Sequence, residues 1–314
     1  MDPSNNRPGE NVWLHRFALV TAGATFPLLF IGGLVTSKGA GLAVPDWPTT
    51  FGENMFLYPW SRMVGGILYE HSHRLVASLV GLLTVTLAIW IWRREQRPWV
   101  RWLGALALAL VVIQGIIGGL RVVLVEQTLA VIHACFAQAF FALTVSLAFF
   151  TSEDGKARIE KVETRNAETL QRLCVVTTAI IYLQGFFGAV LRYTGARLDA
   201  HLFFAAIVFF CVIFVALRVR KFHSDQPKLL RLAAVLMGLL LLQLALGVGS
   251  YLGKFTSIAM VLQSPAAEII RTMHVVTGAL MLAASLALTL RSYKVPAVSD
   301  SSQGGRLLPE QVSA

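Results

Sequence analysis

Eight stretches of this chain run for at least 18 residues without an Asp, Glu, Lys or Arg: 17–37, 75–92, 102–120, 127–152, 173–191, 200–217, 232–253 and 272–290. A helix needs about 20 apolar residues to cross a hydrocarbon core of roughly 30 Å. Lipid offers backbone polar groups no partner, so each run must satisfy its own N–H and C=O groups as a helix. The chain therefore reads as an all-α membrane protein with eight transmembrane helices. Composition agrees, with 56 % of 314 residues apolar and only 14 % charged, where soluble domains carry about 25 % charge.

The formal net charge of +10 would suit a nucleic-acid binder if it formed a patch. Instead it is divided by the spans. Lys38, Arg62, Arg74, Arg121, Arg192, Arg197, Lys254 and Arg271 fall on one side, and the other 19 of the 27 basic residues fall on the opposite side. Basic residues collect on the cytoplasmic face, so both termini are expected in the cytoplasm. The charge is a topology signal, and no nucleic acid is invoked. Met1–Trp13 has neither a signal-peptide nor a transit-peptide pattern, and a bacterial cell (inner) membrane is the expected location. Cys135, Cys174 and Cys211 all lie inside spans and far apart, which suits buried thiols better than a disulfide.

A weak internal repeat divides the spans into two parallel pseudo-repeated four-helix bundles. Phe30-Ile-Gly-Gly-Leu-Val-Thr-Ser-Lys-Gly-Ala-Gly-Leu42 ends span 1, and Phe186-Phe-Gly-Ala-Val-Leu-Arg-Tyr-Thr-Gly-Ala-Arg-Leu198 ends span 5. Spans 3, 5 and 7 share Gln-x-x-x-Gly at Gln114/Gly118, Gln184/Gly188 and Gln243/Gly247, while span 1 keeps only Gly32. Such glycines serve either close helix packing or a flat ligand laid against the backbone. The expected organisation is an N-terminal half (1–150), a cytoplasmic linker (151–169), a C-terminal half (170–294) and a disordered tail (295–314). The halves differ in the first outer loop, expected over 39–72. Leu42 to His73 takes 31 residues, whereas the matching step from Leu198 to His201 takes three. Inserted loops of that length usually cap or gate something.

Histidine is the strongest chemical signal. Each even-numbered span carries one near its outer end: His73, His133, His201 and His274. Ionisable residues in membrane spans are costly and usually functional. A mononuclear metal site would draw three or four ligands to one point, but these divide two per half. Two imidazoles on facing helices, with small residues between them, suit the axial ligation of a haem. Arg74, Arg121, Arg192, Arg197 and Arg271 lie on the same face, available to haem propionates or to surface anchoring. Only the first half adds a carboxylate, in Glu70-His71-Ser72-His73-Arg74. Glu70 and His73 share a helix face, while His71 and His73 stand about 200° apart, and the match with the other spans selects His73. Leu198 replaces the carboxylate in the second half, so one half reads as reactive and the other as a plain bis-histidine site.

Gly41-Leu-Ala-Val-Pro-Asp-Trp-Pro48, then Glu70-x-x-His73-Arg74, the even-span histidines and Gly188-Ala-Val-Leu-Arg-Tyr-Thr-Gly195 together resemble the haem A synthase family over roughly residues 12–294. The resemblance implies a membrane-bound haem-dependent oxidoreductase that oxidises the C8 methyl of haem O to a formyl group, giving haem A for terminal oxidases. It implies that His201 and His274 ligate a haem b cofactor through its iron. His73 and His133 would bracket the substrate haem, with Arg74 beside them, and Glu70 would be the acidic residue needed for turnover. An unactivated methyl needs a strong oxidant, which a haem with O₂ can generate and side chains cannot. Expected partners are haem O and the enzyme producing it, terminal oxidase assembly and the bilayer, with self-association left open. Many family members carry a cysteine pair in the first outer loop; this chain has none there and resembles the cysteine-less branch. A diheme b-type electron-transfer cytochrome would also use paired histidines, but it would have no need of Glu70 or the outer insertion. A transporter would suit parallel repeats, yet no broken span or mid-membrane charge offers a substrate site.

Overall fold

Proline, glycine and charge set the ends of the helices. The computed structural model describes residues 8–157, 165–256 and 265–294. Its helices are α1 (Pro8–Ser37), α2 (Gly66–Arg94), α3 (Pro98–Val123), α4 (Gln127–Thr151), α5 (Glu153–Lys156), α6 (Arg165–Thr194), α7 (Leu198–Phe222), α8 (Pro227–Phe255) and α9 (Pro265–Ser292). α3 and α8 open on a proline, whose preset φ and missing N–H suit a first turn. Basic residues occupy the last turns of α2, α3, α7 and α9, where cations complement the exposed carbonyls. All except the one-turn α5 are long and apolar enough to cross a membrane, eight in all among the described residues.

The helices outrun the uncharged stretches. α2 begins at Gly66 rather than near residue 73, so the loop expected over 39–72 is Lys38–Gly65, and His71 and His73 lie inside a helix. α9 likewise starts at Pro265, ahead of His274. The region expected as a plain linker contains α5, and α6 starts at Arg165. Arg97 binds this corner through the carbonyls of Phe150 (2.6 Å) and Gly155 (3.1 Å). Part of the linker (158–164) and the tail expected over 295–314 lie outside the described residues.

Two rings of four helices result. α1 packs on α2, α2 on α3, α3 on α4 and α4 on α1; α6, α7, α8 and α9 close in the same order. α1 and α4 rest on α9, and α4 also rests on α6. The first ring is filled by Leu14, Val80, Leu87, Ile91, Phe140 and Leu147, and the second by Val208, Val212, Val219, Leu236, Leu240 and Leu288. Large apolar side chains also cover the outside, including Leu82, Ile116, Phe203, Phe214, Leu241 and Val248. Where lipid surrounds such a surface, helices gain little by burying more apolar area, and polar contacts hold them together. Thr178 on α6 meets Ser285 (2.7 Å) and Thr289 (2.8 Å) on α9, and His15 Nδ1 on α1 meets the Ala148 carbonyl on α4 at 2.9 Å.

Candidate functional site

A Cβ on a helix keeps a neighbouring ring away from the backbone, and glycine removes that obstacle. Each of the four histidines uses this. A methyl group added at Gly32 would lie 3.0 Å from Cε1 of His73; at Gly118, 3.0 Å from His133; at Gly188, 3.2 Å from His201; and at Gly247, 3.2 Å from His274. The glycines are thus seats for imidazole edges, which neither helix packing alone nor room for a ligand describes. Each ring also borders the backbone one turn earlier, at Leu28, Gln114, Gln184 and Gln243 respectively. Nδ1 of all four is buried on that side of its ring, 3.4–3.7 Å from where the glycine's Cβ would be, so the edge that faces away from the helix backbone is the Nε2 edge.

A histidine that ligates a metal through one ring nitrogen commonly turns the other toward a backbone carbonyl. With Nδ1 against the helix backbone, Nε2 of each ring is the nitrogen placed for ligation. The rings of His201 and His274 lie 6.3 Å apart, centre to centre, at 77° to one another. With bonds of about 2 Å from metal to imidazole nitrogen and about 1 Å from nitrogen to ring centre, one metal ion would hold the two centres about 6 Å apart. His73 and His133 lie within each other's electrostatic reach in the first ring.

The first ring is closed at its histidine end by the Lys38–Gly65 loop, and the motif residues do the fastening. Glu70, 3 % exposed, accepts the Val44 N–H (2.9 Å) on Oε2 and the Arg74 guanidinium (3.0 Å) on Oε1. Arg74 also donates to the carbonyls of Val44 (2.9 Å), Asp46 (2.7 Å) and Thr49 (3.0 Å). From α3, Arg121 donates to the Gly41 carbonyl at 2.8 Å. The indole of Trp47 lies directly on Gly119, where any Cβ would collide with it. His71 turns to the loop, its Nδ1 3.1 Å from the Thr50 hydroxyl and its ring 5.3 Å from that of Tyr58. Asp46 organises the turn beyond it. Burial pushes its carboxyl up, but the Gly52 N–H, the Thr49 hydroxyl and the Phe51 N–H outweigh that and hold it down to about 2. Phe56, Leu57 and Trp60 point outward from the loop, as aromatic side chains do at a membrane–water interface.

Comparison with known proteins bears on this arrangement. The family model for the cytochrome oxidase assembly protein family, COX15-CtaA, matches residues 15–201, more than half of the chain. The chain belongs to this family. Relatives include a haem A synthase of Shouchella clausii, 32 % identical over 189 residues, which covers 59 % of this chain and 61 % of that protein. A haem A synthase of Alkalihalophilus pseudofirmus is 30 % identical over 143 residues, covering 45 % and 47 %. One of Halalkalibacterium halodurans is 29 % identical over 189 residues, covering 58 % and 60 %. The chain thus spans less than two thirds of the length of these relatives.

In this COX15-CtaA protein the sequence-level candidates divide into two groups. His73, His133, His201 and His274 each sit in a glycine seat, the first pair in one ring and the second pair in the other. Glu70 and Arg74 meet each other and the loop; the terminal nitrogens of Arg74 are engaged by that loop and by Glu70. Glu70 is not a helix cap, since Gly65 occupies that position without a side-chain bond. Sequence reasoning set His71 aside, and it quoted Val44 and Trp47 within the Gly41–Pro48 motif without giving either a role. The signal for Trp47 was the doubled glycine, Gly118-Gly119, one residue seating an imidazole and the next an indole. Gly32-Gly33 divides its work the same way, since a Cβ at Gly33 would lie 3.1 Å from the Thr272 methyl on α9.

Proposed function

We propose that the chain is a haem A synthase, oxidising the C8 methyl of haem O to a formyl group. The observation that carries this reading is the pair His201 and His274, whose ring centres stand 6.3 Å apart, each ring seated on a glycine of the neighbouring helix. The names of the relatives give the reaction class. His201 and His274 would hold haem b, which would supply electrons to the oxidation, with O₂ as the oxidant. His73 and His133 bracket the substrate haem in the first ring. Two successive oxidations of the methyl carbon give a hydrated aldehyde, which loses water to leave the formyl group.

The protein's own share is positioning, exclusion of water and proton handling. The docked loop closes the outer mouth of the first ring, and a reactive centre kept dry is protected from side reactions. Glu70 is the carboxylate one helical turn from His73, and we assign it the proton transfers. In the closed arrangement both its oxygens accept hydrogen bonds, one from the Val44 N–H and one from Arg74. Haem O comes from the enzyme that makes it and haem A passes to terminal oxidase assembly. Both termini lie in the cytoplasm of the bacterial cell.

Extraction and chromatography of the haems that co-purify test the reading. Haem b accompanied by haem O or haem A is expected. Haem b alone, at two per chain, would make the protein a diheme cytochrome, and a colourless protein would remove haem from the account.

A further inference from the structure

The two rings differ in charge on their outer side. Residues three, four or seven apart share a helix face, so the side chains above each histidine pair follow from the glycine seats. In the second ring Arg192 stands one turn beyond Gly188, Lys254 two turns beyond Gly247, and Arg271 one turn before His274. The same offsets in the first half fall on Thr36 and Ala130, and the third falls on Val125, just beyond the end of α3. Three cations therefore overlook the His201–His274 pair, and the position of Glu70 is filled there by Leu198.

These cations lack counter-ions. Arg192 has Arg271 as its charged neighbour, and Lys254 has both. Elsewhere on this side Lys38 pairs with Glu268 at 2.6 Å, Arg62 with Glu53 at 2.6 Å, Arg74 with Glu70 at 3.0 Å and Arg197 with Asp199 at 3.6 Å. Among the described residues no carboxylate pairs with Arg192, Lys254 or Arg271, and 257–264 contain no acidic residue. Like charges gathered at a helical bundle repel strongly where the dielectric is low, unless an anion joins them.

Arg192 is also held ready. Its Nη2 donates to the Gly33 carbonyl (2.7 Å) and the Ser37 hydroxyl (2.9 Å) of α1, and Ser37 in turn receives the Thr272 hydroxyl at 2.9 Å. One edge of the guanidinium is fixed on the first ring, and its other edge makes no hydrogen bond among the described residues. Fork-shaped guanidinium groups bind carboxylates through two parallel bonds.

We propose that Arg192, Lys254 and Arg271 form a dicarboxylate-binding site that takes the two propionates of the porphyrin held between His201 and His274. The site rests on the reading that this pair holds haem b. It separates a resident haem from an exchangeable one. In the first ring Arg74 is taken up by loop carbonyls and by Glu70, and Arg121 gives one nitrogen to the Gly41 carbonyl, so a porphyrin arriving there meets the remaining edge of Arg121 where the second ring offers three cations.

The test uses the full-length haem-loaded protein and measures the rate of haem loss to excess apomyoglobin. Arg192→Gln, Lys254→Gln, Arg271→Gln and the triple variant are compared with Arg197→Gln, a cation already paired with Asp199. Each single site variant should lose haem about tenfold faster or more, since a charge-assisted hydrogen bond goes with each, and Arg197→Gln should match wild type. Protein reconstituted with the dimethyl ester of the same porphyrin should lose it quickly, at one rate in wild type and triple variant. Wild-type retention in the three site variants would overturn the proposal. So would a triple variant that weakens the ester as much as the free acid, because the loss would then be one of packing. The low-spin bis-imidazole spectrum is recorded throughout; if it is absent from wild type, or survives His201→Ala, the haem b assignment itself fails and the site with it.

Discussion

Glu70→Gln separates a carboxylate that fastens the loop from one that only moves protons. Both oxygens of Glu70 act as acceptors, one for the Val44 N–H at 2.9 Å and one for Arg74 at 3.0 Å. A glutamine amide offers one acceptor and one donor, so whichever way it turns, one of those N–H groups faces another N–H. The side chains of Glu70 and Arg74 are only 4 % and 9 % exposed, so water cannot repair the mismatch. A hydrogen bond to a charged group contributes about 1.5–3 kcal/mol, and breaking a buried pair costs roughly 3–5 kcal/mol. Arg74 keeps its three carbonyl partners, which places the cost near the lower figure, about 3 kcal/mol. At 1.4 kcal/mol per factor of ten, the fraction of open loop should rise on the order of a hundredfold. Hydrogen exchange read by mass spectrometry on peptides covering 40–52 should speed up by about that factor, with α7–α9 unchanged. Haem A production should fall as well. If turnover is lost while exchange in 40–52 stays at the wild-type rate, Glu70 does not hold the loop and the reasoning from its hydrogen bonds is wrong.

Other perturbations address other parts of the molecule. His201→Ala or His274→Ala should strip the stable haem spectrum, whereas His73→Ala and His133→Ala should keep it and lose product; the opposite pattern would exchange the roles of the rings. Gly118→Ala pushes a methyl to 3.0 Å from His133 and should cost about 1–3 kcal/mol of stability. Gly115→Ala, in open space, should be neutral or slightly favourable by helix propensity, and equal thermal shifts for the two would deny the imidazole seat. Asp46, with its carboxyl lowered from 3.8 to about 2, stabilises the loop fully above about pH 4 and loses that contribution as pH falls through about 2. Pepsin cleavage near Phe51 and Phe56 should therefore rise steeply between pH 4 and 2, and Asp46→Asn should flatten the rise after correction for the protease's own profile. Reporter tags at residue 160 and at the C-terminus should face the cytoplasm and one near Gly52 the outside; an outside signal at 160 would break the span count.

Spans and histidines were legible because their signals are local. A missing charge over 18 residues speaks for itself, and choosing His73 over His71 needed only the helical angle and the comparison with His133, His201 and His274. The glycines were visible but misread, since an imidazole seat and a helix contact leave the same mark in sequence. The part least legible was the Glu70–Arg74 pair. Their partners are the backbone groups of Val44, Asp46 and Thr49, and every residue type carries those groups, so no spacing betrays them. The loop that supplies them has no period, and its path is decided by three-dimensional closure onto α2 and α3. His71 was set aside for facing away from the cavity, yet that direction places it under Thr50 and Tyr58.

The seam between the rings also has a consequence for the order of assembly. Of the described helices, α1 is the earliest made and α9 the latest, and they touch. Lys38 reaches Glu268, and Thr272 reaches Ser37, across more than two hundred residues of chain. The first ring can close during synthesis, because α1 meets α4 without help from later helices. α1 must then wait beside the growing chain with Ser37 and the Gly33 carbonyl unclaimed until Arg192 and Thr272 arrive. Joining the rings thus begins when α6 packs on α4 and brings Arg192 to α1 and is completed only by α9, and a chain stalled ahead of α9 would present an unfinished polar edge to the insertion machinery and its proteases.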